Sequence, residues 1–397
     1  MTLRIALLFG PLCLSFRGSF DFTALRSDPR GLTGSELGFT RIAQELHALG
    51  HTVDLFTVSE QTEWDGMRVR PWGESGQDEY DAAIAINEPD LLRGVKARLR
   101  VCESWLNDWT FAQKDFDKHV DLFVSPSESH RQRALTDPDW RHVNVTPNTP
   151  RGTFMFAPDP NKWLAIELGC DPERYAGFAK VSGRVIHSSS PDRGLHLLLQ
   201  AWPSIKRAVP HAHLRIFYRL EPWLRGFDKT PYFPPIENLR HRALYIEEAL
   251  RRLSGSEWGI ELCDSVSRER IEREMAEAEV LAYPCDPVNS YTEGFSCSTL
   301  EGCAARACPV ISDADAFKTL YTGHCPVVPR GNWDEWRDTV IRALTDREWR
   351  EGWNDKADAF ARRHTWKAHA ERLEAAIVGR LGVDEQRFFE GTRLEGT

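Results

Sequence analysis

The 397-residue chain contains no apolar stretch long enough to cross a bilayer, so we expect no transmembrane segment. Its start, MTLRIALLFGPLCLSF, has a short apolar run but neither a basic n-region nor a small-residue cleavage site. These absences favour a buried first strand over a secretory signal peptide.

The nine cysteines show no paired spacing: they are scattered along the chain, and no CxxC motif occurs. An odd number without a disulfide framework predicts a reducing compartment, and therefore a cytoplasmic protein. No Asp-x-Asp in a suitable loop offers a divalent-cation site. We therefore expect no metal and no cofactor.

Positive charge is in deficit, with 50 lysines and arginines against 59 acidic residues and a formal net charge of -9. This balance disfavours a protein that binds nucleic acid mainly through phosphates. No G-x-G-x-x-G follows a predicted strand, which argues against a dinucleotide-dependent dehydrogenase.

Predicted strands and helices alternate along the chain in two series. In the first, a strand near Arg4–Phe9 precedes GSELGFTRIAQELHALGHTVDLFT, in which apolar residues recur at helical spacing before a second strand. The second series starts near Lys180 and includes GRVIHSSS, GIELCD, VLAYPC and ACPVIS as strands. Alternation of this kind predicts α/β domains with parallel sheets. We expect two Rossmann-like βαβ domains, 1–165 and 166–370, that face each other across a cleft. A terminal helix and a tail follow in 371–397, and we expect this helix to pack back toward the amino-terminal domain.

Two glutamates with seven residues between them, Glu293 and Glu301, lie in YTEGFSCSTLEGC, where the strand VLAYPC leads through a loop into a helix. The amides of Gly294, Phe295 and Ser296 fall at the helix start, where unpaired N–H groups and the helix dipole favour phosphate. Glu301 would meet a ribose diol and Glu293 hydroxyls on the other side of the phosphate, as a nucleotide-sugar requires. The alternative is that Glu301 merely stabilises the first helical turn while Glu293 is a solvated loop residue.

A second strand-to-helix junction, HSSSPDRGLHLLLQAW, places Arg193 beside a glycine at a helix start. A guanidinium pairs with phosphate through two hydrogen bonds, which suits a diphosphate clamp. Surface solvation of Arg193 is the alternative. Two anion-ready junctions in one domain favour the ligand interpretation.

At these segments the chain resembles the GT-B-fold retaining glycosyltransferases of family 4, also called glycosyl transferases group 1. TEGFSCSTLEGCAARACPVIS is similar to the E-x7-E signature and its Pro-Val strand, and SSSPDRGLHLLLQAW to the segment that usually ends in Lys-Gly. GSELGFTRIAQELHALGHTVDLFT resembles the glycine loop, helix and strand near the amino end of that family.

The resemblance implies a hexosyl- or pentosyltransferase that moves a sugar from a nucleoside-diphosphate donor with retention and without a metal. Arg193 and Glu293 would be catalytic. The implied donor-binding residues are Glu301, Gly294, Phe295, Ser296, Ser189, Gly34, Asp264, Ser265 and Val266.

The chain departs from the family pattern at three places. Ser189 stands where a leaving-group arginine is common, and Arg306 stands near an expected glycine. In the amino-terminal domain a histidine is replaced by Asn107 and Asp108, which with Trp105 are the predicted acceptor-side residues. The departures keep two alternatives open: a non-catalytic sugar-nucleotide-binding scaffold subunit and a GT-B sugar epimerase. The acceptor and the oligomeric state remain open.

Overall fold

The computed structural model describes residues 1–14, 18–106, 112, 115–137, 142–143, 154–155, 158–226, 234–286 and 293–394. The chain divides into two compact units. One comprises Met1–Leu25, Leu32–Leu168 and Trp366–Thr397, and the other comprises Arg26–Gly31 and Gly169–Thr365.

The first unit is built on an eight-stranded sheet. Its strands are β1 (Arg4–Leu8), β2 (Thr52–Phe56), β3 (Glu63–Trp64), β4 (Met67–Arg70), β5 (Glu79–Ile86), β6 (Lys96–Glu103), β7 (Leu122–Ser125) and β10 (Trp163–Ala165), with β8 (His142–Val143) and β9 (Phe154–Met155) as a separate antiparallel pair. The order in the sheet is β10-β7-β6-β5-β1-β2-β4-β3, and only the β3–β4 pair in it is antiparallel. The run from Ile5 to Leu8 is buried, as expected for a central strand covered on both faces.

Two helices of this unit show why the local sequence folds as it does. Helix α1 (Gly34–Ala48) begins with a capping box: the Thr33 hydroxyl accepts from the Glu36 amide, and the Glu36 carboxylate accepts from the Thr33 amide. Helix α2 (Glu128–Thr136) is capped by the Ser127 hydroxyl. With β1 and β2 in parallel register, α1 completes the predicted βαβ unit.

The second unit contains a six-stranded, fully parallel sheet. Its strands are β11 (Arg184–His187), β12 (His213–Ile216), β13 (Ile260–Leu262), β14 (Val280–Tyr283), β15 (Pro309–Ser312) and β16 (Val327–Val328). They lie in the order β13-β12-β11-β14-β15-β16. Trp202 and Trp336, both fully buried, anchor a core that lies against β11, β14 and β15.

Helices connect these strands. They are α3 (Leu195–Ala208), α4 (Leu220–Arg225), α5 (Pro234–Arg252), α6 (Arg268–Glu277), α7 (Cys297–Ala304), α8 (Phe317–Leu320), α9 (Trp333–Thr345) and α10 (Arg347–Ala361). The last helix, α11 (Trp366–Leu394), belongs to the first unit, where it packs against α1. In the part of the chain that is described, no helix is both long and apolar enough to cross a membrane.

The long segment of the first unit ends at Leu168, and that of the second unit ends at Thr365. The segment Arg26–Gly31 packs with the second unit, although it lies in the amino-terminal part of the chain. Its Arg26 guanidinium donates two hydrogen bonds to the Glu272 carboxylate, with the shorter at 2.8 Å. The two residues are 246 positions apart in the sequence, so no local sequence pattern predicts their contact.

Candidate functional site

The candidate site lies in the second unit at the carboxyl ends of β11 and β14. These strands are parallel neighbours, so the chain that follows each of them emerges at the same edge of the sheet. After β11 the chain makes a tight turn at Pro191–Arg193 before α3, and after β14 it reaches α7. Both junctions singled out from the sequence are therefore brought together.

The start of α7 is held in a conformation unusual for a residue other than glycine. Ser296 has φ 72° and ψ 88°, and its hydroxyl caps the helix by accepting from the Thr299 amide at 3.2 Å. The Tyr321 hydroxyl contacts the carbonyl oxygens of Phe295 and Ser296 at 3.2 and 3.1 Å. Within the described chain, the amides of Phe295 and Ser296 have no acceptor, and such amides suit an anion. Gly294 lies in the same buried turn.

The Glu293 carboxylate uses one oxygen for protein contacts. Its Oε2 accepts from Arg193 Nη1 at 2.9 Å and from the Tyr283 hydroxyl at 2.6 Å, while its amide donates to Asp315. Its Oε1 has no partner among the described residues. Glu293 is therefore a buried carboxylate with Oε2 fixed and Oε1 unpartnered among the described residues, and it is not the solvated loop residue of the alternative.

Glu301 has the same arrangement with a different cation. Its Oε1 accepts from Arg268 Nη2 at 2.6 Å, and its Oε2 has no partner in the described part of the chain. Burial raises the pKa of the Glu301 carboxyl above its usual range, and the Arg268 charge opposes that rise. The two glutamates thus have separate protein partners. Both still act on the Cys297 thiol between them, whose pKa burial and their charges raise to about 12.

Arg193 is held at the β11–α3 junction by an unusual backbone. Gly194 has φ 128°, and a Cβ there would lie 2.0 Å from the Pro284 carbonyl oxygen, so only glycine allows the turn to approach the end of β14. Burial by itself lowers the pKa of Arg193, but Glu293 and Tyr283 outweigh it and keep that pKa raised. The guanidinium is therefore permanently charged.

Buried polar atoms without hydrogen-bond partners are concentrated at this junction. Within the described chain, His187 Nε2, Ser188 Oγ, Arg193 Nε and His196 Nδ1 all lack a partner. Buried polar atoms are normally paired with protein, water or ligand. Four such atoms in one short segment mark a place where water or polar ligand groups would complete the hydrogen bonding.

The remaining predicted donor residues follow β11, follow β13 or lie in the first unit. Ser189 is half-buried between β11 and Arg193. Asp264 has φ 56°, and its carboxylate accepts from the Ser265 amide at 2.8 Å, which shapes the loop after β13. The Val266 carbonyl oxygen would lie 2.7 Å from a Cβ at position 31, so glycine is required there.

Gly34 is the first residue of α1 in the first unit. Trp105 lies in the same unit, where its indole Nε1 donates to Glu103 at 2.8 Å and its ring would meet a Cβ on Gly38 at 2.5 Å. Trp105 is thus committed to packing on α1 through its ring. Asn107 and Asp108 fall outside the described residues.

Sequence reasoning missed the groups that hold the glutamates. Arg268, Tyr175 and Tyr283 contact Glu301, Arg268 and Glu293, respectively. Arg268 follows the loop Asp264–Val266 by two positions, but its polar, charged helix gave no sign that this arginine faces inward. Among the described residues, no group of three or more histidine, cysteine, aspartate or glutamate side chains is arranged to hold a metal ion.

Comparisons with known proteins identify the fold. No protein-family model and no curated protein sequence matches the chain, whereas solved structures match it over nearly its whole length. Sucrose-phosphate synthase from Thermosynechococcus elongatus is 12% identical with a TM-score of 0.63, covering 96% of this chain and 99% of that one. AviGT4, a glycosyltransferase involved in avilamycin A biosynthesis, is 16% identical with a TM-score of 0.61, covering 96% and 98%. HepE from Anabaena, solved with UDP and glucose, is 15% identical with a TM-score of 0.61, covering 95% and 100%.

These neighbours are GT-B glycosyltransferases, and the chain shares their fold of two Rossmann-like units. The predicted α/β, GT-B fold class is therefore confirmed.

Proposed function

We propose that the protein is a nucleotide-sugar-dependent glycosyltransferase of the family 4 type. The observation that carries the proposal is the arrangement at the start of α7. Two arginine-held glutamates each keep one oxygen unpartnered, and the unpartnered amides of Phe295 and Ser296 lie between them in sequence. The amides suit a diphosphate, and the two carboxylate oxygens suit hydroxyls of the sugars at its ends.

The proposed chemistry is transfer with retention and without a metal. As the bond from the sugar to the diphosphate breaks, negative charge grows on the departing phosphate. The Arg193 guanidinium and the amides of Phe295 and Ser296 would stabilise that charge. As the resemblance to family 4 implies, the acceptor hydroxyl would attack from the face of the leaving group and pass its proton to the departing phosphate. Because all nine cysteines are free, the chain also suits the reducing cytoplasm that we propose as its location.

The donor can be found by thermal denaturation in the presence of UDP-, GDP-, ADP- and TDP-glucose. HepE, with the same fold, was solved with UDP and glucose, which makes UDP-glucose the first probe. A donor present at 100 times its Kd raises the free energy of unfolding by about 2.7 kcal/mol. We expect one of the four to raise Tm and to be hydrolysed slowly without acceptor and with EDTA present.

The variants Glu301→Ala and Arg193→Ala should abolish the donor-induced rise in Tm. Glu248→Ala is the matched control, because Glu248 is a partly exposed residue of α5 whose carboxylate pairs with Arg251 at 2.7 Å. A rise in Tm that survives in both site variants would refute the donor site. Donor binding without any hydrolysis or transfer would instead favour the scaffold alternative.

A further inference from the structure

Arg268, on α6, makes contacts that join two buried carboxylates and a tyrosine. Its Nε donates to Glu272 Oε1 at 2.8 Å, and its Nη2 donates to Glu301 Oε1 at 2.6 Å and to the Tyr175 hydroxyl oxygen at 2.8 Å. Only 11% of its side chain is exposed. The guanidinium is therefore a buried planar fork with a fixed direction.

The far side of this cluster is also held. Glu272, 4% exposed, accepts from both Nη atoms of Arg26, at 3.3 and 2.8 Å. The Glu269 amide donates to the Arg26 carbonyl oxygen at 3.2 Å, so the segment Arg26–Gly31 is fixed to the start of α6 by backbone as well as side chain. The chain of contacts runs from Arg26 through Glu272 and Arg268 to Glu301.

These contacts leave one oxygen of the Glu301 carboxylate available for a further hydrogen bond. Oε1 is occupied by Arg268, while Oε2 has no partner among the described residues. Burial favours the neutral form of Glu301, and Arg268 favours the charged form. A neutral carboxyl would be a weaker acceptor for ribose hydroxyls than a carboxylate.

We infer that Arg268 is a positioning residue for nucleotide recognition: it holds Oε1 of Glu301 and thereby aims the second oxygen of that carboxylate at the ribose hydroxyls of the donor. This inference rests on the proposed function. It adds a residue two positions beyond the loop Asp264–Val266, so that one short segment frames the base and orients the carboxylate for the ribose. Arg268 acts only through Glu301 and touches no reacting atom.

The test compares UDP, GDP and ADP with their 2′-deoxy counterparts by titration calorimetry on the full chain. Wild type should prefer the ribonucleotide. Arg268→Gln should weaken the ribonucleotide by about 10- to 100-fold, the range for one hydrogen bond to a charged group, and should bring the ribo-to-deoxyribo ratio close to one. Arg268→Lys keeps the positive charge but lacks the planar guanidinium. It should restore part of the ribonucleotide affinity and part of the ribo-to-deoxyribo ratio.

Arg273→Gln is the matched control. Arg273 lies on the same helix and pairs with Glu277 at 2.8 Å, but 67% of its side chain is exposed. It should bind like wild type. If Arg268→Gln does not fold, the ribo-to-deoxyribo affinity ratio of Arg268→Lys tests the inference instead. A loss of affinity confined to the ribonucleotide supports the positioning role.

Two results would overturn the inference. If Arg268→Gln and Arg268→Lys keep the wild-type ribo-to-deoxyribo ratio while Glu301→Ala loses it, the positioning role is wrong and the donor site stands. If wild type binds none of the nucleoside diphosphates, the proposed function fails and this inference fails with it.

Discussion

At the scale of single residues, Gly194 is the position with least freedom at the candidate site. Its φ of 128° is rarely open to residues with a Cβ, and a Cβ would lie 2.0 Å from the Pro284 carbonyl oxygen and 2.8 Å from its carbon. We expect Gly194→Ala to destabilise the protein by about 2–4 kcal/mol, because backbone strain and a clash with rigid backbone add together. Urea unfolding measures the loss.

Gly352→Ala provides the matched comparison for Gly194. Gly352 is exposed within α10, and nothing lies within 4 Å of a Cβ there. The change should raise stability by about 0.5–1 kcal/mol through helix propensity. Equal effects of the two substitutions would contradict the proposed geometry of the turn.

His187 makes the folded state sensitive to acid. It is 1% exposed, its Nδ1 contacts the Ala282 carbonyl oxygen at 3.0 Å, and burial lowers its pKa from the usual 6.5 to about 4. Between these values the unfolded chain binds the proton and the folded chain does not. The stabilisation is therefore complete above pH 6.5 and is lost as the pH falls toward 4.

The loss attributable to His187 between pH 7.5 and pH 5 should be about 2 kcal/mol. Urea unfolding at the two pH values should show a correspondingly smaller fall for His187→Gln than for wild type. His211→Gln, at an exposed position of the same unit, should leave the fall unchanged. An identical fall in His187→Gln and wild type would show that this histidine does not contribute.

At the scale of elements, a buried ion pair attaches α10 to the chain around the sheet of the second unit. Arg350 donates from Nη2 to Glu279 at 2.8 Å and from Nη1 to the Ala343 carbonyl oxygen at 2.6 Å. The other Glu279 oxygen accepts from the Gly183 amide at 2.7 Å. Both side chains are buried, so the attraction between them offsets the cost of removing two charges from water.

We expect Arg350→Met to lower the free energy of unfolding by about 3–5 kcal/mol, because it leaves Glu279 buried without its counter-charge. The double variant Arg350→Met/Glu279→Gln should recover part of that loss, which urea unfolding can measure as a coupling energy. Arg362→Met removes an exposed pair with Asp358 at the end of α10 and should cost under about 1 kcal/mol. Additive effects at Arg350 and Glu279 would refute the pairing.

The helix–strand link after α7 has a left-handed backbone at a residue other than glycine. The expected glycine lies near Arg306, and Arg306 has a left-handed φ of 53°. Its guanidinium pairs with Glu351 at 2.8 Å and Asp355 at 2.7 Å, both on α10. These contacts offset part of the backbone strain that glycine would avoid.

At the scale of the whole molecule, the features predicted correctly are those set by near neighbours in sequence. Apolar periodicity of 2 and 3.6 residues, with caps such as Thr33 and Ser127, specified alternating strands and helices and so two α/β units. The strand–loop–helix setting of Glu293 and Glu301 was predicted for the same reason, because β14 and α7 are each specified by a short local stretch of sequence.

The features that were missed depend on residues far apart in the chain. No periodicity marks Arg268 as the partner of Glu301 or Tyr283 as a partner of Glu293, since charged helices usually face solvent. The placement of Arg26–Gly31 on the second unit was likewise hidden, because it depends on the ion pair with Glu272.

The amino-acid sequence by itself determined the order of the elements and the positions of the two carboxylates, because hydrogen-bonded turns and apolar faces are decided over a few residues. Only the tertiary structure decided which oxygen of each carboxylate is occupied and which is left over. The occupied oxygen depends on which arginine is buried beside each carboxylate. A buried charge requires a partner of opposite charge, and here the fold supplies that partner from a distant part of the sequence.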